Sequence, residues 1–418
     1  MKFWSKFYCF FEKILGLKEI KNKFSVEFFV KFKLKFNYYL FFLLKSNGQS
    51  NHNSNNIGSR NSNSIISQEA FGSTTSTIEL LTEFKTESID IQKAPLECYY
   101  TKGKSFLNLK NYPTAIYYFE KSIEKNDKCV EAYCGMGDCY YYNSDNEEAT
   151  KAFEMAIKLD PSCAQAHNGL GLVRADKKDY RTAIKFYDLA IKLNSQNGEF
   201  YSNKGDSLDA LEEGVKAIEC FRKAVEIDSN DSDFQLQLGL ALKKYQKEYE
   251  KSIECFDKAI RINAENSYAF FNKGETLDHL NQGTEAIECF KKAISLNDRD
   301  QDFHFALGMA YKKYMQNFEL ALLCFEKSIE ILPNQASFFF SKAEVLYAME
   351  KYEDTIHNLN QAILLQPDSN GYFYFLKANA LIDMHNSSKD DQTRSKYLEE
   401  AIECFELAVI RKILNILF

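Results

Sequence analysis

Cysteine is the residue type in this chain with the widest chemistry, since thiolates bind metals, attack electrophiles and form disulfides. Five of the eleven cysteines occupy one repeated position, directly before an aromatic residue: Cys220, Cys255, Cys289, Cys324 and Cys404. No CxxC pair occurs, and no spacing of cysteine and histidine suits a zinc site. The pattern therefore favours reduced thiols in a cytoplasmic protein over a metal or redox centre.

A second candidate is the triplet Gly103-Lys104-Ser105, which matches the end of a phosphate-binding loop. Such a loop requires a glycine five residues before Gly103, where this chain has Cys98. The six histidines form no HExxH pair, and neither GxSxG nor GxGxxG occurs in a strand–turn–helix context. We therefore expect no enzyme activity, no cofactor, no metal and no small-molecule substrate.

Charge also limits the classes of partner. Residues 1–70 hold eleven Lys/Arg and four Asp/Glu, which is a net charge of +7. Because the whole chain has a net charge of −7, the remaining residues have a net charge of −14. Nucleic-acid binding needs clustered cations, which the body of the chain lacks. Nucleic acid is therefore not expected as a ligand.

An internal repeat in the sequence predicts the helices of this chain. Glycines recur at intervals of 34 or 35 residues: Gly103, Gly137, Gly171, Gly205, Gly239, Gly274 and Gly308. Ala343 and Ala378 continue the series. Each glycine is followed, twelve or thirteen residues later, by a small residue, then by an aromatic four residues on and another small residue three beyond it. These spacings keep the three later positions on one helix face, so each unit reads as a helix–turn–helix.

The spacing of small and aromatic residues resembles that of the tetratricopeptide repeat family. The resemblance covers residues 96–418 in nine units: 96–129, 130–163, 164–197, 198–231, 232–266, 267–300, 301–335, 336–370 and 371–418. It implies an all-α, right-handed superhelical solenoid that binds other proteins on its concave face. Residues 198–266 and 267–335 also match each other at a spacing of 69, which indicates duplication of a two-repeat block.

Three segments precede the array. Residues 1–45 are rich in Lys and Phe, and both a membrane-surface segment and an incorrect sequence start remain open for them. Residues 46–70 are rich in Asn and Ser, which predicts a disordered linker. Residues 71–95 form a lead-in that is compatible with a helix.

In the family, positions 2, 5, 9, 12 and 13 of each repeat line the concave face. The resemblance thus predicts nine partner-binding residues: Leu236, Phe271, Phe305, Phe340, Phe375, Asp206, Glu275, Lys243 and Lys312. The phenylalanines would form an apolar track for a peptide or helix, with the charges fixing its register. The alternatives are that the rings pack inside the array and that the charges are a solvated surface.

The sequence therefore predicts a cytoplasmic interaction scaffold or adaptor. Its rival is the regulatory repeat portion of a larger enzyme whose catalytic domain was lost by truncation. The apolar end of the chain, ILNILF, motivates that alternative.

Overall fold

The computed structural model describes residues 96–367 and 371–417, and this part of the chain contains eighteen α-helices and no strand. The predictions for residues 1–45, 46–70 and 71–95 lie outside the described residues. The predicted all-α repeat fold is confirmed within them, and the handedness of the superhelix stays a prediction.

The helices alternate between a first and a second helix of each repeat and fall into two compact units, divided between Ala264 and Glu265. The described helices of the N-terminal unit are α1 Leu96–Asn108, α2 Tyr112–Lys125, α3 Val130–Tyr142, α4 Asn146–Leu159, α5 Ala164–Asp176, α6 Tyr180–Leu193, α7 Gly198–Ala210, α8 Gly214–Ile227, α9 Ser232–Ala241 and α10 Tyr249–Ile262. Those of the C-terminal unit are α11 Ser267–His279, α12 Gly283–Leu296, α13 Gln301–Ala310, α14 Phe318–Ile331, α15 Ala336–Ala348, α16 Tyr352–Leu365, α17 Tyr372–Ser387 and α18 Asp391–Leu417.

Within each unit, every helix packs against the next one along the chain. The first helices of neighbouring repeats also contact each other, for example α1 with α3 and α3 with α5 in the N-terminal unit. The first helices therefore form a continuous layer in this unit, and their outward side chains lie in one surface.

The aromatic residue of each second helix forms the centre of a repeat. The fully buried ring of Phe153 on α4 lies between Gly137 on α3 and Gly169 on α5. A Cβ atom at Gly137 would lie 2.5 Å from a ring carbon, so only glycine lets these helices approach the ring so closely. Burial of one such side chain contributes about 3 kcal/mol.

The turns inside the repeats use polar residues in the left-handed region. Lys110, Ser144 and Lys178 have φ between 56° and 63°. At the first of these turns, the N–H of Lys110 donates to the Leu107 carbonyl at 2.8 Å and the N–H of Asn111 to the Phe106 carbonyl at 2.9 Å. These bonds satisfy the last carbonyls of α1 and end the helix.

Two of the three 35-residue repeats, 232–266 and 301–335, differ from their neighbours at the end of the first helix. There α9 continues into a π-helical turn at Leu242–Gln246, and α13 into one at Tyr311–Met315. A π-helical turn holds one more residue than an α-helical turn. The extra residue of each repeat is therefore accommodated without shifting the second helix.

Candidate partner-binding face

One side of the first helices stays open to solvent along the described chain. Repeat position 2 is exposed wherever its side chain is described: Glu131, Gln165, Glu199, Asp233, Tyr268, Asp302, Ser337 and Tyr372. Position 13 is exposed at Asn108, Tyr142, Asp176, Ala210, Lys244, His279, Lys313 and Ala348. Position 9 is exposed or half-buried in every repeat. We call these three positions, which form one helical stripe, the first-helix face.

In the N-terminal unit, this face is rich in carboxylates. Its acidic residues are Glu131, Asp138, Asp176, Glu199, Asp206 and Asp233. Two of its residues are lysines, Lys104 and Lys244. The Lys244 ammonium already forms an ion pair of 3.0 Å with Asp209 of the preceding repeat. The surface is therefore electronegative within this unit.

Two of these carboxyl groups have strongly raised pKa values. Loss of solvation raises the pKa of Asp138 to about 7; Gln165, whose amide donates to Asp138 at 2.9 Å, opposes this, while the charge of Glu199 adds to it. Loss of solvation, with a smaller effect of Asp209, raises the pKa of Asp206 to about 7. Asp206 still contacts solvent, so protein surrounds this carboxylate without covering it. A cation placed here would stabilise the ionised forms.

The predicted phenylalanines are half-buried and contact rings of neighbouring helices. The ring centre of Phe271 lies 4.8 Å from that of Phe303 and 5.9 Å from that of Phe290. Phe305 contacts Phe338 at 4.9 Å. Phe340 and Phe375 have the same kind of neighbours, Phe373 at 4.8 Å and Phe405 at 5.7 Å. These rings are thus part of the packing between helices, and only part of each ring remains available to a partner.

Position 5 has a different character in the N-terminal unit. Leu236 is half-buried, whereas the three repeats before it have buried Cys134, Asn168 and Ser202 at this position and the first repeat has half-buried Tyr100. The amide of Asn203 donates to the Asn168 side-chain oxygen at 3.0 Å, which joins two first helices. The apolar row therefore begins at Leu236.

The predicted charges also contact their own chain. Lys312 forms an ion pair of 2.8 Å with Glu344 of the next repeat, and Lys313 one of 3.0 Å with Asp278 of the preceding repeat. Lys243 and Glu275 are half-buried, whereas Asp206 is exposed. Of the predicted charged residues, Asp206 is the one most open to a ligand.

The sequence prediction did not include Asp138, Glu199 and Asp233. Their signal was present, because they occupy positions 9 and 2 of repeats already delimited. The emphasis on aromatic residues placed the predicted site mainly in the C-terminal half. What the sequence could not show is the loss of solvation at Asp138 and Asp206.

The described residues contain neither a candidate membrane span nor a candidate metal site. None of the helices there is long and apolar enough to cross a membrane. Across the same residues, no group of three or more His, Cys, Asp or Glu side chains is arranged to hold a metal ion.

Comparison with known proteins identifies the repeat. Two family models described as tetratricopeptide repeat match the chain, one at residues 134–198 and the other at 198–231, 232–266, 267–300 and 301–335. No curated protein matches the sequence.

Several solved structures are similar to the chain. YrrB, described as a TPR protein with an unusual peptide-binding site, is 24% identical over 50% of this chain and 97% of its own, with a TM-score of 0.36. MamA is 24% identical over 39% of this chain and 95% of its own, also with a TM-score of 0.36. The APC/C hetero-tetramer Cut9-Hcn1 is 14% identical over 78% of this chain and 59% of the matched chain, with a TM-score of 0.51. This last similarity shows a shared fold alone.

Proposed function

Because this chain belongs to the tetratricopeptide repeat family, with matches across residues 134–335, we propose that it is a non-catalytic scaffold that holds partner proteins on its first-helix face. The observation that carries this proposal is that different residues of each repeat pack the helices and face the solvent. The glycine, the small residues and the aromatic ring pack the helices together, while positions 2, 9 and 13 stay accessible. Side chains at these positions can vary without disturbing the core, as a binding surface requires.

The partner segment of the N-terminal unit carries Lys or Arg side chains. Six carboxylates line its first-helix face, and two of them, Asp138 and Asp206, are partly desolvated. Ionised carboxylates in such surroundings gain free energy when a cation approaches. Opposite charge also speeds association and selects against acidic partners.

The first-helix face of the C-terminal unit also has carboxylates, but it has more exposed apolar residues. Tyr268, Met309 and Tyr372 are exposed there, and Met309 lies one helical turn after the half-buried Phe305 on α13. Aromatic and methionine side chains of this kind contact apolar side chains of a peptide or helix. Within this unit we assign the predicted phenylalanines to the floor of the surface, below these exposed residues.

The test compares three forms of the full chain as bait in cell extract. The first is the wild type. The second removes three charges of the first-helix face by D138N, E199Q and D206N. The matched control removes three charges from exposed second-helix positions by E147Q, E154Q and E219Q. All substitutions are nearly isosteric, so both variants should fold, and circular dichroism checks this.

We expect a set of proteins whose capture falls at least about tenfold with the first-helix variant and is unchanged with the control. Synthetic peptides from those proteins should bind the chain through Lys or Arg side chains and more weakly at high salt. Equal capture by all three forms would exclude this face as the binding surface. Peptides that bind equally well after Lys and Arg are replaced by Gln would exclude the proposed partner chemistry.

A further inference from the structure

Two cysteine thiols of the N-terminal unit lie against each other. The sulfur atoms of Cys134 and Cys163 are 3.4 Å apart, although the residues are 29 positions apart in the chain. Cys134 lies on α3 and is buried, and Cys163 directly precedes α5 and is half-buried. Both contact the core cluster around Phe153. A disulfide needs the sulfurs to approach by little more than 1 Å, which side-chain rotation can supply.

The two thiols have different environments. Cys163 is the residue before the first turn of α5, where helix N–H groups favour a negative charge. A hydrogen bond from the Cys134 thiol lowers the pKa of Cys163 to about 7, with the amides of Ala166 and Gln165 also lowering it. Burial and the charge of Asp160 oppose this effect.

The same contact raises the pKa of Cys134, and either sulfur atom can be the donor in it. Burial and the nearby charges of Cys163, Asp138 and Glu131 add to the rise. The pair thus consists of a partly exposed sulfur whose pKa is lowered and a buried thiol in contact with it. A thiolate with a neighbouring second thiol is the arrangement that oxidises to a disulfide.

We propose that Cys134 and Cys163 form a redox modification site, at which a hydroperoxide converts the two thiols into a disulfide. In the first step, the Cys163 thiolate attacks the terminal oxygen of the peroxide and the O–O bond breaks. Cys163 sulfenic acid forms, and the leaving group is hydroxide from hydrogen peroxide or an alkoxide from an organic hydroperoxide. In the second step, the Cys134 sulfur attacks the Cys163 sulfur. The S–S bond forms as the S–O bond breaks, and the thiol proton leaves with the hydroxyl group as water. The peroxide accepts the two electrons that the thiols lose.

The bridge would join α3 to the start of α5 and so link two neighbouring repeats covalently. Cys134 is at position 5 of its repeat, directly beneath the first-helix face. This modification does not require a partner protein, so it can be tested whether or not the proposed scaffold function holds.

The first experiment treats the reduced full chain with hydrogen peroxide near pH 7.4. The protein is then denatured, its free thiols are alkylated, and its proteolytic peptides are identified by mass spectrometry. We expect a disulfide-linked peptide pair that contains Cys134 and Cys163. Cys220 and Cys255 are the internal control, because both lie in one buried cluster and burial raises the pKa of each. Peroxide should leave both as free thiols, so their peptides should be found in the alkylated form.

The second experiment uses C134A, with C220A as the matched control. Loss of the hydrogen bond from Cys134 should slow alkylation of native Cys163 by iodoacetamide near pH 7 roughly three- to six-fold. Peroxide should then leave Cys163 as a sulfenic acid that dimedone traps. C220A should change neither result. Unfolding would expose Cys163 and speed its alkylation, so a misfolded variant cannot imitate the expected outcome.

The proposal is overturned if Cys163 of the wild type reacts no faster than in C134A. It is also overturned if peroxide links cysteines without preference for this pair.

Discussion

Buried small residues leave the least room for a larger side chain in each repeat. Ala224 and Ala293 on the second helices α8 and α12 are fully buried. Phe153 fills the space between two glycines that would overlap the ring if they carried a Cβ. Side-chain volume at these positions therefore sets the distance between helices.

Enlarging Ala293 to Leu should lower the free energy of unfolding by about 1–3 kcal/mol, because three added carbon atoms must displace packed neighbours. Ala224→Leu should have a similar effect in the N-terminal unit. Ala348→Leu is the control, since Ala348 is an exposed residue at the end of α15. Urea titrations followed by circular dichroism measure all three. A midpoint for A293L equal to that of A348L would show that this helix face is assigned wrongly.

Asp206 should make the protein less stable as the pH rises. Its pKa is raised to about 7 in the folded chain, above the ordinary value. The folded state then binds more protons than the unfolded state, so stability falls between about pH 4 and pH 7. Because Asp206 contacts solvent, we expect D206N to stabilise the protein by only about 1 kcal/mol near pH 8.

The same variant should have almost no effect near pH 3, below the ordinary pKa of an aspartate, because the carboxyl group is then largely protonated in both states. Thermal melts at the two pH values provide the measurement. A stabilisation of equal size at both would contradict the titration of Asp206 as its cause.

At the scale of helices, the same contact between neighbouring repeats occurs twice, once after each π-helical turn. The π-helical turn after α13 places Tyr314 over Gly283 at the start of α12, where the Tyr314 hydroxyl donates to the Asp278 carbonyl at 3.1 Å. Lys313 pairs with the Asp278 carboxylate and lies 4.6 Å from the Tyr314 ring centre. Tyr245 and Gly214 repeat the arrangement in the N-terminal unit. The 69-residue duplication therefore copied an interface between repeats as well as two helix pairs.

Gly283→Ala should cost about 1–3 kcal/mol of stability, because the added Cβ would overlap the Tyr314 ring. Away from such a ring, alanine would favour the helix over glycine. The double variant with Tyr314→Ala should therefore lose less stability than the sum of the two single losses, with a coupling of about 1 kcal/mol. Strict additivity in urea titrations would show that the ring does not restrict residue 283.

For the whole molecule, the first-helix face has carboxylates in both units and differs between them in its exposed apolar residues. In the described residues, Tyr142 is exposed on this face before the boundary, and Tyr268, Met309 and Tyr372 are exposed on it after the boundary. The core cluster around Phe153 lies within the N-terminal unit, and the one around Phe405 lies within the C-terminal unit. Stability in such arrays is close to a sum of repeat and interface contributions.

Phe153→Ala and Phe325→Ala should each destabilise the chain by about 3–5 kcal/mol, since both rings are fully buried. Hydrogen exchange should show the loss of protection mainly in α3–α5 for the first variant and in α13–α15 for the second. A uniform loss over all described helices in either variant would mean that the array unfolds as one cooperative unit.

The repeat, its length and the all-α fold follow from the amino-acid pattern alone, because steric fit at Gly137, Phe153 and their equivalents leaves a pattern with a fixed period. The pattern also locates the first-helix positions, since a helix with a known packed side has a known open side. What is available at those positions depends on contacts between repeats. Ring packing of Phe271 and Phe305, pairing of Lys312 and desolvation of Asp138 all depend on side chains from other repeats. The contact between Cys134 and Cys163 is of the same kind, because no local spacing reveals that two distant thiols meet.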